Sequence, residues 1–257
     1  MLKILVSNDD GVHAEGIQTL IASLKSFADV YVVAPLEERS TTGHALSLNN
    51  PLRVVEIERN IWGCSGYPAD CIFMGVGHLA RDVKFDVVVS GINRGANLGQ
   101  DVYYSGTVAA AREGAFRKIP AIAISTVTDH LTIGDPIHYQ SAAKYLRNFL
   151  SQGGHKFCPP LGVVNINVPN LPYDKIKVGQ YSRLGFRIYT EDIEERLDCR
   201  DRPYYWIGGQ YRGPDRDDGT DCMTIENNNI AITLLNLLGQ SDFDCSAMEA
   251  FVKKLVM

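Results

Sequence analysis

Apolar positions change their period twice within the first 35 residues. Leu2, Ile4, Leu5 and Val6 form a nearly continuous apolar run, the pattern of a buried strand. Ile17, Leu20, Ile21 and Leu24 then recur at i, i+3, i+4 and i+7, which predicts an amphipathic helix. Asp29 to Ala34 (DVYVVA) returns to strand character and stops at Pro35. Further on, Asp86 to Ser90 (DVVVS), Ala121 to Ser125 (AIAIS) and Val163 to Val168 (VVNINV) read as core strands. His138 to Leu150 reads as a helix, and Ser105 to Gly114 starts an Ala-rich buried helix with Ser or Thr as its cap. Strands alternating with helices predict an α/β fold: an open, mainly parallel sheet with helices on both faces.

Other stretches are less regular. Leu52 to Glu58 alternates weakly and predicts an extended ribbon, with a short strand at Ile61 to Cys64. From Pro68 the chain reads as a helix with Pro in its first turn and an apolar side reaching Ala80. Inside it, Gly75-Val76-Gly77-His78-Leu79-Ala80 matches the G-x-G-x-x-A dinucleotide pattern. That pattern must follow a strand and open a helix; mid-helix glycines instead predict close packing. After Pro169 the texture turns to prolines, tyrosines and mixed charge, but Val178, Tyr181, Phe186, Ile188, Tyr204, Tyr205, Trp206 and Ile207 carry too much apolar bulk for disorder. Hairpins that pack on another surface are expected there, then a strand at Ile230 to Leu235 and a closing helix at Phe243 to Val256.

Composition narrows the function classes. At 257 residues the chain can bury roughly 70 to 75% of its unfolded surface. Its net charge of -5 and lack of any Lys/Arg run exclude polymeric nucleic acid as the expected partner. The first strand begins with no charged-then-apolar leader, and Ile230 to Leu238 is too short to span a bilayer, so a soluble, cytoplasmic protein without a membrane partner is expected. The six cysteines show no C-x-x-C spacing and read as reduced thiols rather than a zinc site or disulfide framework.

The predicted chemistry gathers at strand ends. Asp9 and Asp10 lie in the turn between the first strand and helix, and although Asp10-Gly11 is by itself a common turn dipeptide, paired acids at the carboxyl edge of a parallel sheet point to a divalent cation. The loop Leu36 to Gly43 holds the same position after the second strand and offers Ser40, Thr41 and Thr42. Gly91 to Gly99, with three glycines and two asparagines, lets backbone approach a ligand closely. The helix start at Ser105 to Thr107 presents free N–H groups to an anion. With Asn93, every candidate ligand is an oxygen donor, which suits Mg²⁺ or Mn²⁺ rather than zinc. A hard cation beside an anion-binding helix start is a phosphate-processing arrangement. Tyr103 and Tyr104 are placed either to stack on a base or to pack beside that helix start. His13 and His44 lie in the two loops nearest the proposed metal and are read as solvated loop residues outside the site.

Five motifs, in order, resemble the SurE family of stationary-phase survival proteins, metal-dependent nucleotidases and acid-range phosphatases. They are VSNDDG, the segment holding Ala34, Pro35, Arg39 and Ser40, the PADC tetrapeptide at Pro68 to Cys71, SGINRGANLG from Ser90, and YSGTVAAAREG from Tyr104. The resemblance implies that Asp9, Asp10, Ser40 and Asn93 bind one divalent cation per subunit, and that Asn97, Ser105, Gly106 and Thr107 hold a phosphate. It also implies a Rossmann-like catalytic core over residues 1–172 and an extension over 173–257, whose hairpin and helix exchange between subunits of a homodimer or homotetramer. Thr41 stands where a small residue is expected after the serine, and Tyr67 replaces a Thr before PADC. A further departure follows Asp218-Gly219-Thr220-Asp221, where Asn227-Asn228-Asn229 replaces a Gly-aromatic pair.

The expected function is 5'-nucleotidase activity, hydrolysis of a nucleoside 5'-monophosphate to nucleoside and phosphate, extending to 3'-monophosphates and short polyphosphate. Asp9, Asp10 and Asn97 are the expected catalytic residues. The sequence leaves open whether an acid orients a water or Asp9 itself attacks phosphorus. The alternative is a non-catalytic nucleotide sensor or scaffold, against which the complete set Asp9, Asp10, Ser40, Asn93 and Asn97 argues. A nicotinamide-dependent oxidoreductase lacks its glycine fingerprint after the first strand.

Overall fold

The computed structural model describes residues 1–129 and 134–237. In chain order its elements are β1 (Leu2–Ser7), α1 (Glu15–Leu24), β2 (Ala28–Pro35), β3 (Val54–Glu58), β4 (Ile61–Cys64), α2 (Pro68–Met74), β5 (Val87–Arg94), α3 (Gly106–Phe116) and β6 (Ala121–Val127). They continue as α4 (Tyr139–Ser151), β7 (Gly162–Pro169), β8 (Gly179–Tyr181), β9 (Arg187–Tyr189), β10 (Ile193–Leu197), β11 (Pro203–Ile207), β12 (Tyr211–Pro214), α5 (Asp221–Glu226) and β13 (Ile230–Asn236). The predicted closing helix at 243–256 lies outside the described residues.

Nine strands form one sheet in the order β3-β4-β2-β1-β5-β6-β7-β13-β8. The six strands from β4 to β7 are mutually parallel, while β3 and β13 join antiparallel at the two sides. Alternate residues of β1 face opposite helical layers, which is why its apolar run is continuous. Ile4 and Val6 pack with Ile17, Leu20 and Leu24 of α1 and Leu146 of α4. Leu5 packs with Cys71 and Ile72 of α2 and Ala110 of α3 on the other face. The sheet also draws β8 and β13 from beyond residue 172, so its hydrogen bonding crosses the proposed core–extension boundary. Beyond them, β10 pairs with β11 and β12 with β9 as two separate ribbons, the hairpin texture expected of this region.

Two elements differ from the sequence reading. The α-helix begun at Pro68 ends at Met74 and continues as a π-helical turn over Gly75–Leu79, so the glycines mark a change of helix type rather than the interior of one helix. Strand β5, expected to stop at Ser90, runs on to Arg94 through an irregularity in its pairing with β6 between Ser90 and Asn93. Gly91 makes this possible: φ is +137°, and a Cβ there would lie 2.2 Å from the Ile124 carbonyl oxygen. Asn93 is therefore on a strand end, level with Ser125 of β6, instead of in a loop.

The consequence for function is topological. From β1 the chain moves to β2 on one side, and β5 pairs on the other. A crevice opens at the carboxyl ends of β1 and β5, where such a reversal of strand order leaves room for a ligand.

Candidate active site

Asp9 and Asp10 follow directly from β1. Two backbone bonds bring the Ser40 loop to them: Arg39 N–H donates to the Asp9 carbonyl at 2.7 Å and Val12 N–H to the Pro35 carbonyl at 2.7 Å. Thr41, which stands where the resemblance implies a small residue, has φ +55°, the left-handed conformation that favours glycine. From β5, Asn93 donates its amide Nδ2 to the Gly95 carbonyl at 3.0 Å, which leaves Oδ1 as its available ligand atom. Arg94 N–H donates to Asp10 Oδ2 at 3.1 Å and ties the two strand ends together.

Helix α3 points its first turn at Asp9. Ser105 is the N-cap, its Oγ accepting the Val108 N–H at 3.0 Å, which identifies the cap that the sequence left between Ser and Thr. A Cβ on Gly106 would lie 2.8 Å from Asp9 Cβ, so only glycine permits this approach. The Thr107 hydroxyl, expected to face a phosphate, donates to Asp9 Oδ1. Its nearest acceptor is the buried carboxylate, and Thr107 itself is fully buried.

One cavity of about 330 Å³ is lined by Asp9, Ser40, Asn93, Asn97 and Ser105. These five predicted residues are thus brought together. Asp10, Gly106 and Thr107 stand just behind the lining, bonded to or packed against residues that form it. Asn97 is buried and held on three sides. Its N–H donates to Asn167 Oδ1 at 2.9 Å, its carbonyl accepts Nδ2 of Asn165 at 2.8 Å and of Asn167 at 2.9 Å, and its own Nδ2 donates to Ser125 Oγ at 2.8 Å.

Several participants escaped the sequence reading. Asn165 and Asn167 alternate within VVNINV, and polar residues at every second position of a buried strand were the available signal. Asp101 and Tyr189 also line the cavity, Tyr189 arriving from β9. No local pattern marks Tyr189, because its place depends on a fold-back of the chain from the extension.

The electrostatics concentrate negative charge. Burial pushes the Asp9 carboxyl above its usual range, although hydrogen bonds from Thr107 pull against it. Asp10 is raised to about 7, by burial first and the Asp9 charge second, while the nearby Arg94 charge counts for less. The buried Asn8 Oδ1 adds an acceptor with no donor among the described residues. No three His, Cys, Asp or Glu side chains form a metal-holding group among the described residues; what the site offers a cation is the two acids and neutral oxygens. A divalent hard cation fits that donor set: two carboxylates without an ion-pair partner among the described residues, a hydroxyl and an amide oxygen.

Together, fold and pocket define a doubly wound α/β protein with an acidic, oxygen-lined cavity at the switch point of its parallel sheet. The family model described as survival protein SurE matches residues 4–191. The chain belongs to the SurE family. It is 41% identical over 253 residues to a protein of Vibrio parahaemolyticus named 5'-nucleotidase SurE, covering 98% of this chain and 95% of that one. It is 42% identical over 236 residues to a protein of the same name from Pelobacter propionicus, covering 92% and 94%. The crystal structure of the SurE protein from Aquifex aeolicus superposes with a TM-score of 0.83 at 33% identity, covering 99% of this chain and all of that one.

Proposed function

We propose that this chain is a divalent-metal-dependent 5'-nucleotidase that hydrolyses nucleoside monophosphates to nucleoside and phosphate. The observation that carries the reading is the single cavity that unites Asp9, Ser40 and Asn93 with Asn97 and the capped start of α3. Asp9, Asp10, Ser40 and Asn93 would hold the cation, Mg²⁺ or Mn²⁺. When bound it supplies a positive charge that screens the acids from a phosphate dianion and activates water for attack.

The chain's own groups do the remainder. The Asn97 amide, the Ser105 hydroxyl proton and the Gly106 N–H at the positive end of α3 hold phosphoryl oxygens, since Ser105 Oγ uses only an acceptor site in its cap. Thr107 keeps Asp9 in place. Asn165 and Asn167 fix the Asn97 backbone, so the amide needs no reorganisation as charge moves onto the phosphoryl oxygens. Water adds to phosphorus, the bond to the nucleoside oxygen breaks, and the proton lost by water ends on that oxygen. Residues 1–172 carry this chemistry, and 173–257 serve self-association as a homodimer or homotetramer in the cytoplasm. Among the described residues no helix is long and apolar enough to cross a membrane.

The test is phosphate release from 5'- and 3'-nucleoside monophosphates and tripolyphosphate, using EDTA-stripped protein with Mg²⁺ or Mn²⁺ restored. Activity should return with metal and fall by at least about 100-fold in Asp9→Asn, comparable to losing one preorganised charged group. Tight nucleotide binding without release under any metal would instead establish the sensor reading.

A further inference from the structure

The cavity that holds the phosphate-directed residues Asn97 and Ser105 is also lined by two tyrosines. Tyr104 and Tyr189 both line it, at 64% and 38% exposure. Tyr103, the other half of the pair seen in the sequence, lines a different cavity with His44 and Arg112. Tyr189 comes from the C-terminal extension, far in sequence from every motif of the site.

The Tyr189 ring is fixed. Its hydroxyl donates to Asp101 Oδ2, and its centroid is 5.6 Å from that of Tyr211 at a tilt of 49°. Behind it lies the buried Arg187, whose guanidinium is 5.5 Å from the Tyr189 centroid and 4.1 Å from that of Tyr211. Arg187 pairs with Asp101 and Asp129 at 3.2 and 3.0 Å. Its backbone exchanges bonds with the Gln100 side chain at 2.8 and 2.6 Å. A half-exposed ring so held loses little entropy when a planar group stacks on it.

We propose that Tyr189 is a specificity-determining residue, the platform on which the base of a nucleotide stacks while its phosphate occupies the α3 start. The proposal rests on the nucleotidase reading and deepens it. A phosphomonoester without an aromatic group leaves this ring bare. Because the Tyr189 hydroxyl gives its one proton to Asp101, the ring offers a π face and no donor for reading base edges. Bases are therefore accepted broadly, purines over pyrimidines by less than about tenfold, since stacking follows the size of the π surface.

The experiment compares kcat/KM for adenosine 5'-monophosphate and ribose 5-phosphate in the wild type, Tyr189→Phe and Tyr189→Leu, with adenosine binding measured by calorimetry. In Tyr189→Leu the ratio of the two kcat/KM values should fall about tenfold, chiefly through KM for the nucleotide, as loss of one stacking contact requires. Adenosine binding should weaken in parallel, and Tyr189→Phe, which keeps the ring, should stay within about threefold of wild type. An unchanged ratio, or equal losses for both substrates, would overturn the proposal. If the wild type releases phosphate from neither ester, the nucleotidase reading fails and adenosine decides alone: binding that is absent in the wild type, or undiminished in Tyr189→Leu, defeats the Tyr189 assignment.

Discussion

Asn97 shows at the scale of one residue how the pocket is built. A buried backbone N–H and carbonyl in the irregular segment after β5 need partners, and a pair of asparagines in β7 supplies them with Nδ2 donors and an Oδ1 acceptor. Asn167→Ala removes both bonds that Asn167 makes. The orphaned Asn97 N–H should cost about 1 to 3 kcal/mol of stability in urea unfolding. The same substitution should lower kcat/KM by about tenfold or more, because the Asn97 amide would no longer be held for the phosphoryl group. Unchanged turnover with lost stability would confine Asn167 to a structural role. Asp9, Asp10 and Asn97 were legible in the sequence because each sits in a short motif with its own turn. Asn167 was not, since its partner lies 70 residues away and only the sheet brings them together. The bond from the Thr107 hydroxyl to Asp9 was not legible for a related reason: sequence gives the helix start but not which acceptor stands nearest.

At the scale of elements, α5 fastens the extension to the site. Asp221, at the start of α5 and fully buried, accepts the Gly99 N–H on Oδ2 at 2.9 Å and the Gly185 and Cys222 N–H groups on Oδ1, both at 2.8 Å. One carboxylate thus joins the segment after β5, the segment before β9 and its own helix. Asp221→Ala leaves these three donors without their acceptor and should cost about 3 kcal/mol or more, given about 1.5 to 3 kcal/mol for hydrogen bonds to a charged group and incomplete additivity. Asp221→Asn keeps one acceptor oxygen and should lie between the two. Thermal unfolding ranks the three proteins, and hydrogen exchange should show protection lost first at Gly99 and Gly185; a uniform loss across the sheet would contradict this local account. The sequence foretold the core strands β1, β2, β5, β6 and β7 and the helices α1, α3 and α4, since they carry long apolar runs or periods, but beyond Pro169 it foretold only hairpins and β13 and not α5. It did not foretell the continuation of β5 past Ser90, because the glycine that permits the irregular pairing also reads as a loop signal.

At the scale of the whole molecule, the unsatisfied surface lies on the β10–β11 ribbon. Two strands alone are marginal in water, yet these present Ile193, Leu197, Tyr205, Trp206 and Ile207 at 57% exposure or more. The register puts Ile193, Leu197, Tyr205 and Ile207 on one face and Trp206 on the other; an apolar face of that kind needs cover, and closed symmetric association of identical chains provides it on every copy. The chain is therefore expected to be a dimer or tetramer by light scattering at micromolar concentration. Tyr205→Glu with Ile207→Glu places two charges on that one face and should shift the population toward monomer. The two ribbons neighbour each other in sequence: β9, which carries Tyr189, precedes β10 by three residues, Thr190 to Asp192. Release of the β10–β11 ribbon from its partner should therefore loosen the base platform more than the acid pair. The dissociated variant should lose kcat/KM for adenosine 5'-monophosphate by a larger factor than for ribose 5-phosphate. A wild-type monomer, or dissociation that lowers both substrates equally, would separate the ribbon from base recognition and leave its apolar face to some other contact.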